Sequence, residues 1–218
     1  MRARLAIGVA TVALVALGCL PAAAGAEEDQ QTADEAVLQA SDFPDDWEST
    51  PADDGEEIQL PECRAINRAT ATADKQPNAK SRNFADPSDP LAITNAENAT
   101  YVFPSKKKAK AYVALFASAE SGDCFQAVGE AVAESQAPGA DVSVEELDVE
   151  GLGDGGDGFT LVVDGVSEDD EPIQLYADFS AVRVGRGVVV FIAQGNGEQL
   201  ELGPDLLETL VGRLEEAL

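Results

Sequence analysis

Few residues in this sequence have types and spacing that could do chemistry, and each group falls short of a complete site. Ser105-Lys106-Lys107-Lys108 fits the S-x-x-K pattern of serine acylases. That chemistry also needs Ser-Asp-Asn and Lys-Thr-Gly elements, and the chain has neither. Gly151-Leu152-Gly153-Asp154-Gly155-Gly156 fits G-x-G-x-x-G. A dinucleotide site needs a strand before this motif and a helix after it, so that helix N–H groups meet the pyrophosphate. Here Asp157-Gly158 and a strand pattern follow, and Asp154 would repel phosphate, so a glycine-rich turn is expected. Glu150, Asp154 and Asp157 raise calcium, but their spacing is not that of an EF-hand loop, and calcium takes six or more oxygens. Glu145-Glu146 and Asp169-Asp170-Glu171 are carboxylate runs from which a glycosidase could draw an acid and a base. Neither run has the apolar context that raises a carboxyl pKa. The chain lacks histidine, which removes Ser-His-Asp catalysis, histidine bases and the usual zinc sites. No catalytic, cofactor-binding or metal-ligating residue is assigned, and no cofactor is expected.

The start of the chain reads as an export signal. Arg2 and Arg4 precede a run from Leu5 to Leu20 without charge, and Pro21 then breaks the helix before the small residues Ala24-Gly25-Ala26. That pattern predicts cleavage before Glu27. The alternative rests on Ala16-Leu17-Gly18-Cys19, a loose match to a lipobox, in which Cys19 would be lipidated. Either outcome puts the mature protein outside the cytoplasm, secreted or held in the cell envelope. Its only membrane contact would be through an N-terminal lipid. With Cys19 accounted for, Cys63 and Cys124 are the remaining thiols. Two cysteines in an exported chain pair most simply with each other, and no histidine is present to activate either as a nucleophile.

Charge excludes further classes. The 218 residues hold 14 basic and 41 acidic side chains. Two of the basic residues lie in the first 26, so the remainder carries −29. A nucleic-acid partner needs clustered Lys and Arg, and anionic lipid repels such a surface. Lys106, Lys107, Lys108 and Lys110 are the exception. They read as the solvated face of a helix, with contact to an anionic envelope polymer as the functional alternative. Asn98-Ala99-Thr100 is a glycosylation sequon, of little weight in a bacterial-type chain.

The elements that must position all this follow from periodicity. Residues 1–26 are the signal, 27–35 an acidic flexible lead, and 36–218 one α+β domain, expected as a monomer. Phe43 and Trp47 flank a turn and have reason to bury. A short helix is expected near Cys63 to Ala73 and a short strand at Ser81 to Ala85. A strand alternates from Leu91 to Phe103. Ala109, Tyr112, Val113 and Phe116 then recur at helical spacing, and a second helix puts Cys124, Val128, Ala131 and Val132 on one face. Strands are expected at Val142 to Val149, Phe159 to Val163, Ile173 to Val184 and Val188 to Ala193. The last two are joined at Gly185-Arg186-Gly187. Gly203-Pro204-Asp205 opens a final helix with an apolar stripe of Leu206, Leu207, Leu210, Val211 and Leu214. Together these predict an antiparallel sheet of about five to six strands, covered by helices on one face and carrying one disulfide.

The order of Phe43-Pro44-Asp45-Asp46-Trp47, Cys63, Cys124, Gly151-Leu152-Gly153-Asp154 and the hairpin Val182-Arg183-Val184-Gly185-Arg186-Gly187-Val188-Val189-Val190 resembles the free-standing actinobacterial relatives of the PknH-type extracellular sensor domain. Many of these relatives are lipoproteins, and the likeness covers about residues 36–218. It implies an envelope protein with a central antiparallel sheet, a groove and no catalysis. Sensor domains of that family usually carry two disulfides, whereas this chain can make one, and it has no kinase domain. A second resemblance is to small mycobacterial-type lipoproteins with a PsbP-like sandwich. The function expected is therefore a non-enzymatic envelope domain that binds an unidentified ligand or protein in a sheet–helix groove. The alternatives are a carboxylate-dependent secreted hydrolase and a structural surface protein. An acid pair in an apolar cleft would favour the hydrolase; an apolar pocket without one would favour ligand binding.

Overall fold

The computed structural model describes residues 21–52, 60–89, 93–166 and 172–218. Among these residues five α-helices, α1 (Pro21–Glu35), α2 (Arg64–Ala73), α3 (Lys106–Phe116), α4 (Ala119–Gln136) and α5 (Gly203–Ala217), accompany eight strands. Five strands are long: β4 (Asn95–Val102), β5 (Asp141–Glu146), β6 (Gly156–Val166), β7 (Pro172–Val184) and β8 (Gly187–Asn196). Three residues each make up β1 (Glu48–Thr50), β2 (Asn78–Lys80) and β3 (Asn83–Ala85), which bring the count above the five to six expected. One antiparallel sheet results, in the order β1-β3-β4-β8-β7-β6-β5, with β2 also on β4.

The α+β class and its antiparallel sheet match the expectation, but helices cover both faces of the sheet. Val189, Phe191 and Ala193 of β8 face α5, while Val188 and Val190 face the side that carries α3 and α4. A strand covered on both sides reads as a continuous apolar run, which is why Val188 to Ala193 does not alternate. The α5 stripe packs as expected: Leu206, Leu207, Leu210, Val211 and Leu214 are all buried against the β7–β8 hairpin. On α4 the buried face is turned slightly from the expected one. Cys124, Phe125, Gly129 and Ala133 are buried, and Ala131 is exposed. Gly129 lets the helix approach β5 and β6 closely, since a Cβ there would come within 2.5 Å of both Leu161 Cδ1 and Val142 Cγ1.

The acidic segment 27–35, expected to be a flexible lead, is instead helical and docked. Pro21, expected to end a helix, begins α1, where its missing N–H is no loss. Ala33 and Thr32 are buried. The Arg186 guanidinium forks the Asp29 carboxylate, one arm at 2.6 Å. Gln30 Nε2 donates to the Asn78 carbonyl at 2.8 Å, and Thr32 Oγ1 donates to the Ala217 carbonyl at 3.1 Å. Just beyond, Arg213 of α5 donates to both carboxylate oxygens of Asp42 (2.8 and 2.6 Å) and to the Val37 carbonyl (2.9 Å). Burial works to raise the Asp42 pKa. The Arg213 hydrogen bond, the Gln39 N–H and the Arg213 charge together hold it below the usual value.

Candidate ligand-binding pocket

Cys63 and Cys124 are joined, with Cα atoms 4.6 Å apart and both residues fully buried. The bond ties the start of α2 to the N-terminal third of α4, and with α3 these helices form a wall over one sheet face. Among the described residues the wall does not close. Val190 and Ile192 lie on the central strand β8, yet both are only half-buried. Above them is a pocket of about 260 Å³, slightly below the roughly 300–1,000 Å³ typical of small-molecule sites.

Each surface of this pocket follows from local sequence. The floor is Glu97 and Ala99 of β4 with Ile192 and Val190 of β8, which stand opposite them in the register. Alanine at that point leaves the space that a larger residue would fill. The walls are aromatic, supplied by Tyr112 and Phe116 of α3, Phe125 of α4 and Phe179 of β7. Phe125 stacks on Phe179 with ring centroids 4.5 Å apart, and Tyr112 meets Phe116 edge-on at 5.8 Å. Such pairs hold ring orientation as well as burying area. Ile66 and Thr70 of α2 complete the wall, and Lys80 lies at the lip.

Among the described residues that line the pocket, Lys80 and Glu97 are charged and the others are neutral. Burial pushes the Tyr112 phenol up to about 12; the Thr70 hydrogen bond opposes this and Asp74 adds to it. Burial, then Tyr112 and Asp74, pushes Tyr101 higher still. Tyr101 donates to the Asp74 carboxylate at 3.2 Å. Neither phenol ionises near neutral pH, so the aromatic walls present carbon and neutral hydroxyls. Such walls can hold an apolar group.

Other residues with chemical potential have structural partners. Ser105, the serine of the S-x-x-K pattern, caps α3 by accepting the Lys108 N–H at 3.3 Å. Lys106, Lys107, Lys108 and Lys110 are exposed on that helix. The glycine-rich motif is a turn: Gly151, Gly153 and Gly155 have φ of 87°, 52° and 118°, and β6 begins at Gly156. Asp154 accepts from Arg183 at 2.9 Å and from the Gly185 N–H at 2.7 Å, so it is a latch on the β7–β8 turn. Among the described residues no His, Cys, Asp and Glu group is arranged to hold a metal. Asn98 of the sequon is buried, accepts from the Leu38 N–H and donates to the Ala36 carbonyl. Desolvation and the Glu146 charge raise the Asp157 carboxyl, but this pair lies on an open acidic rim away from the aromatic pocket. Cys19 and the run Asp169-Asp170-Glu171 lie outside the described residues. Sequence reading expected a sheet–helix groove but assigned to it none of the residues that line this pocket. Its one sequence signal is an alanine opposite a central apolar strand.

Among the described residues no helix is long and apolar enough to cross a membrane. By sequence, the chain matches no family model and no curated protein. In structure it is similar to the extracellular domain of PknH from Mycobacterium tuberculosis, with TM-score 0.50 and 12% identity over 86% of this chain and 96% of that one. A looser likeness, with TM-score 0.33 and 11% identity over 78% of each chain, is to LpqN of the same organism, described as involved in cell envelope biogenesis. What the chain shares with the PknH extracellular domain is its fold, an antiparallel sheet packed by helices.

Proposed function

We propose that this chain is an exported, non-enzymatic cell-envelope domain that binds a small apolar ligand in the pocket between the sheet and α2–α4. The observation that carries the reading is the aromatic pocket, open among the described residues over a central strand and lined mainly by apolar side chains. Half-exposed Val190 and Ile192 in mid-sheet forgo burial worth about 25 cal/mol per Å², and an apolar ligand would recover it. The export signal, the buried disulfide and the extracellular setting of the PknH domain with this fold agree with that location. The size of the pocket suits one ring system or a short acyl segment.

The test is a fluorescence titration with N-phenyl-1-naphthylamine, a neutral apolar probe, on the parent protein and on Ala99→Phe. The added ring should fill the floor and weaken probe binding by about tenfold or more, equivalent to about 1.4 kcal/mol, without lowering the urea midpoint. Equal probe affinity in both proteins would sink the reading. Native mass spectrometry of protein from its own host would then identify the natural occupant.

A further inference from the structure

On the opposite, α5 face of the sheet lies a second recess, of about 220 Å³, with different chemistry. Phe191 of β8 and Leu207 of α5 give it an apolar floor, next to Ser180 of β7. Asp148, Glu150, Asp178 and Glu208 surround that floor, and neither lysine nor arginine is among the described residues that line it.

Ser180 points to a ligand independently of these charges. It is 1% exposed, and its Oγ has no hydrogen-bond partner among the described residues. Alternation along β7 sends Asp178, Ser180 and Val182 to this face and Phe179 and Ala181 to the other. A buried hydroxyl left without a partner is destabilising, and most buried polar groups in proteins are paired. The polar groups beside it are already engaged. Thr160 Oγ1 donates to Asp178 Oδ1 at 2.6 Å, and Gln199 Nε2 donates to Asp178 Oδ1 at 3.1 Å and to Thr160 Oγ1 at 3.2 Å. That network fixes the Asp178 carboxylate two residues from the unpaired hydroxyl.

We propose that this recess binds an alkylammonium group, with the ammonium donating to Asp178 and Ser180 Oγ and the alkyl stem lying on Phe191 and Leu207. An ammonium has three donors and no acceptor, which matches an acceptor-rich recess. The N-terminus of α5 also borders the recess, and its dipole would favour an anion, but it amounts to about half a charge against four carboxylates. A cleft lined by one sign of charge also concentrates the counter-ion. The site is separate from the aromatic pocket and does not depend on that reading.

The test is an amide chemical-shift titration of the isotope-labelled full protein with hexylammonium, hexanol and hexanoate. Hexylammonium should give saturable shifts centred on Val149, Leu152, Ser180, Phe191 and Leu207, and hexanoate none. Hydrogen bonds to charged groups are strong enough that Asp178→Asn should weaken binding by about tenfold. Ser180→Ala and Glu208→Gln should each weaken it by about threefold. Glu208 is exposed, so its variant tests the site even if Asp178→Asn fails to fold. A parallel titration with a blocked lysine derivative asks whether the natural group is a lysine side chain, which would bind more tightly, or a free amine. Shifts that never saturate, that persist unchanged in both Ser180→Ala and Glu208→Gln, or that hexanoate reproduces would overturn the proposal.

Discussion

Replacing Cys63 and Cys124 together by alanine should destabilise the protein through the unfolded state and loosen the aromatic pocket in the folded one. The bond closes a loop of 61 residues. On the chain-entropy model such a loop removes about 14 cal/mol/K from the unfolded ensemble, or about 4 kcal/mol at 25 °C. Strain subtracts from that figure, so a loss of about 2–4 kcal/mol is expected. The folded-state effect is local. With ten residues, α2 is below the roughly 12–15 at which an isolated helix becomes stable in water, and Ile66 and Thr70 on it wall the pocket. Without its tie to α4, this helix should open more often than the sheet unfolds. Urea denaturation of parent and double variant measures the first effect, and amide exchange along residues 64–73 the second. The m-value should rise, because an uncrosslinked unfolded chain exposes more surface. A loss below about 1 kcal/mol with unchanged exchange in α2 would refute the reasoning and mean that packing alone orders this loop.

Leu210→Ala should cost about 2–5 kcal/mol in urea melts, as for other fully buried leucines, whereas Glu215→Ala on the exposed face of α5 should stay within about 0.5 kcal/mol; equal, small effects would mean that α5 is a solvated tail. Arg213→Met should cost about 1–3 kcal/mol at neutral pH, since it leaves the Asp42 carboxylate, 9% exposed, without its partner. Because the folded pKa of Asp42 lies below its unfolded value, its contribution is full above the unfolded carboxylate range and is lost as pH falls through the folded value. Melting points between about pH 2 and 7 should therefore fall less steeply in Arg213→Met than in the parent. Gly129→Ala should destabilise by about 1–3 kcal/mol by overpacking, and a neutral result in thermal melts would mean that α4 can lift off Leu161 and Val142.

Local periodicity made much of the fold legible. The α5 stripe, the β7–β8 hairpin and the α3 spacing each repeat within a dozen residues, so the sequence alone shows which face buries. Cys63 and Cys124 were legible through redox logic. The helical docking of 27–35 was not, because that segment is acidic and polar. What holds it are Ala33, Thr32 and an ion pair to Arg186, 157 residues away. Nor was coverage of both faces. Within the strand expected at Ile173 to Val184, polar Gln174, Tyr176, Asp178 and Ser180 alternate with Ile173, Leu175, Ala177 and Phe179, the pattern of a half-buried strand, yet α5 and its approach bury Ser180. The aromatic pocket was hidden for a related reason. In a continuous apolar strand, Val190 and Ile192 look the same whether a helix closes over them or stops short.

On the proposed export route, the docking of residues 29–42 onto Arg186, Arg213 and Ala217 would set the order in which a chain crossing a membrane as an extended thread could fold. These contacts span 157 to 185 positions, and the β4–β8 pairing at the sheet centre joins Asn95 to Gln194. The first residues to emerge thus have nothing to dock on until nearly the last have followed, and partners so distant in sequence close slowly. On that route the thread would complete its sheet only when its far end arrives, leaving its early half open to proteases in the meantime.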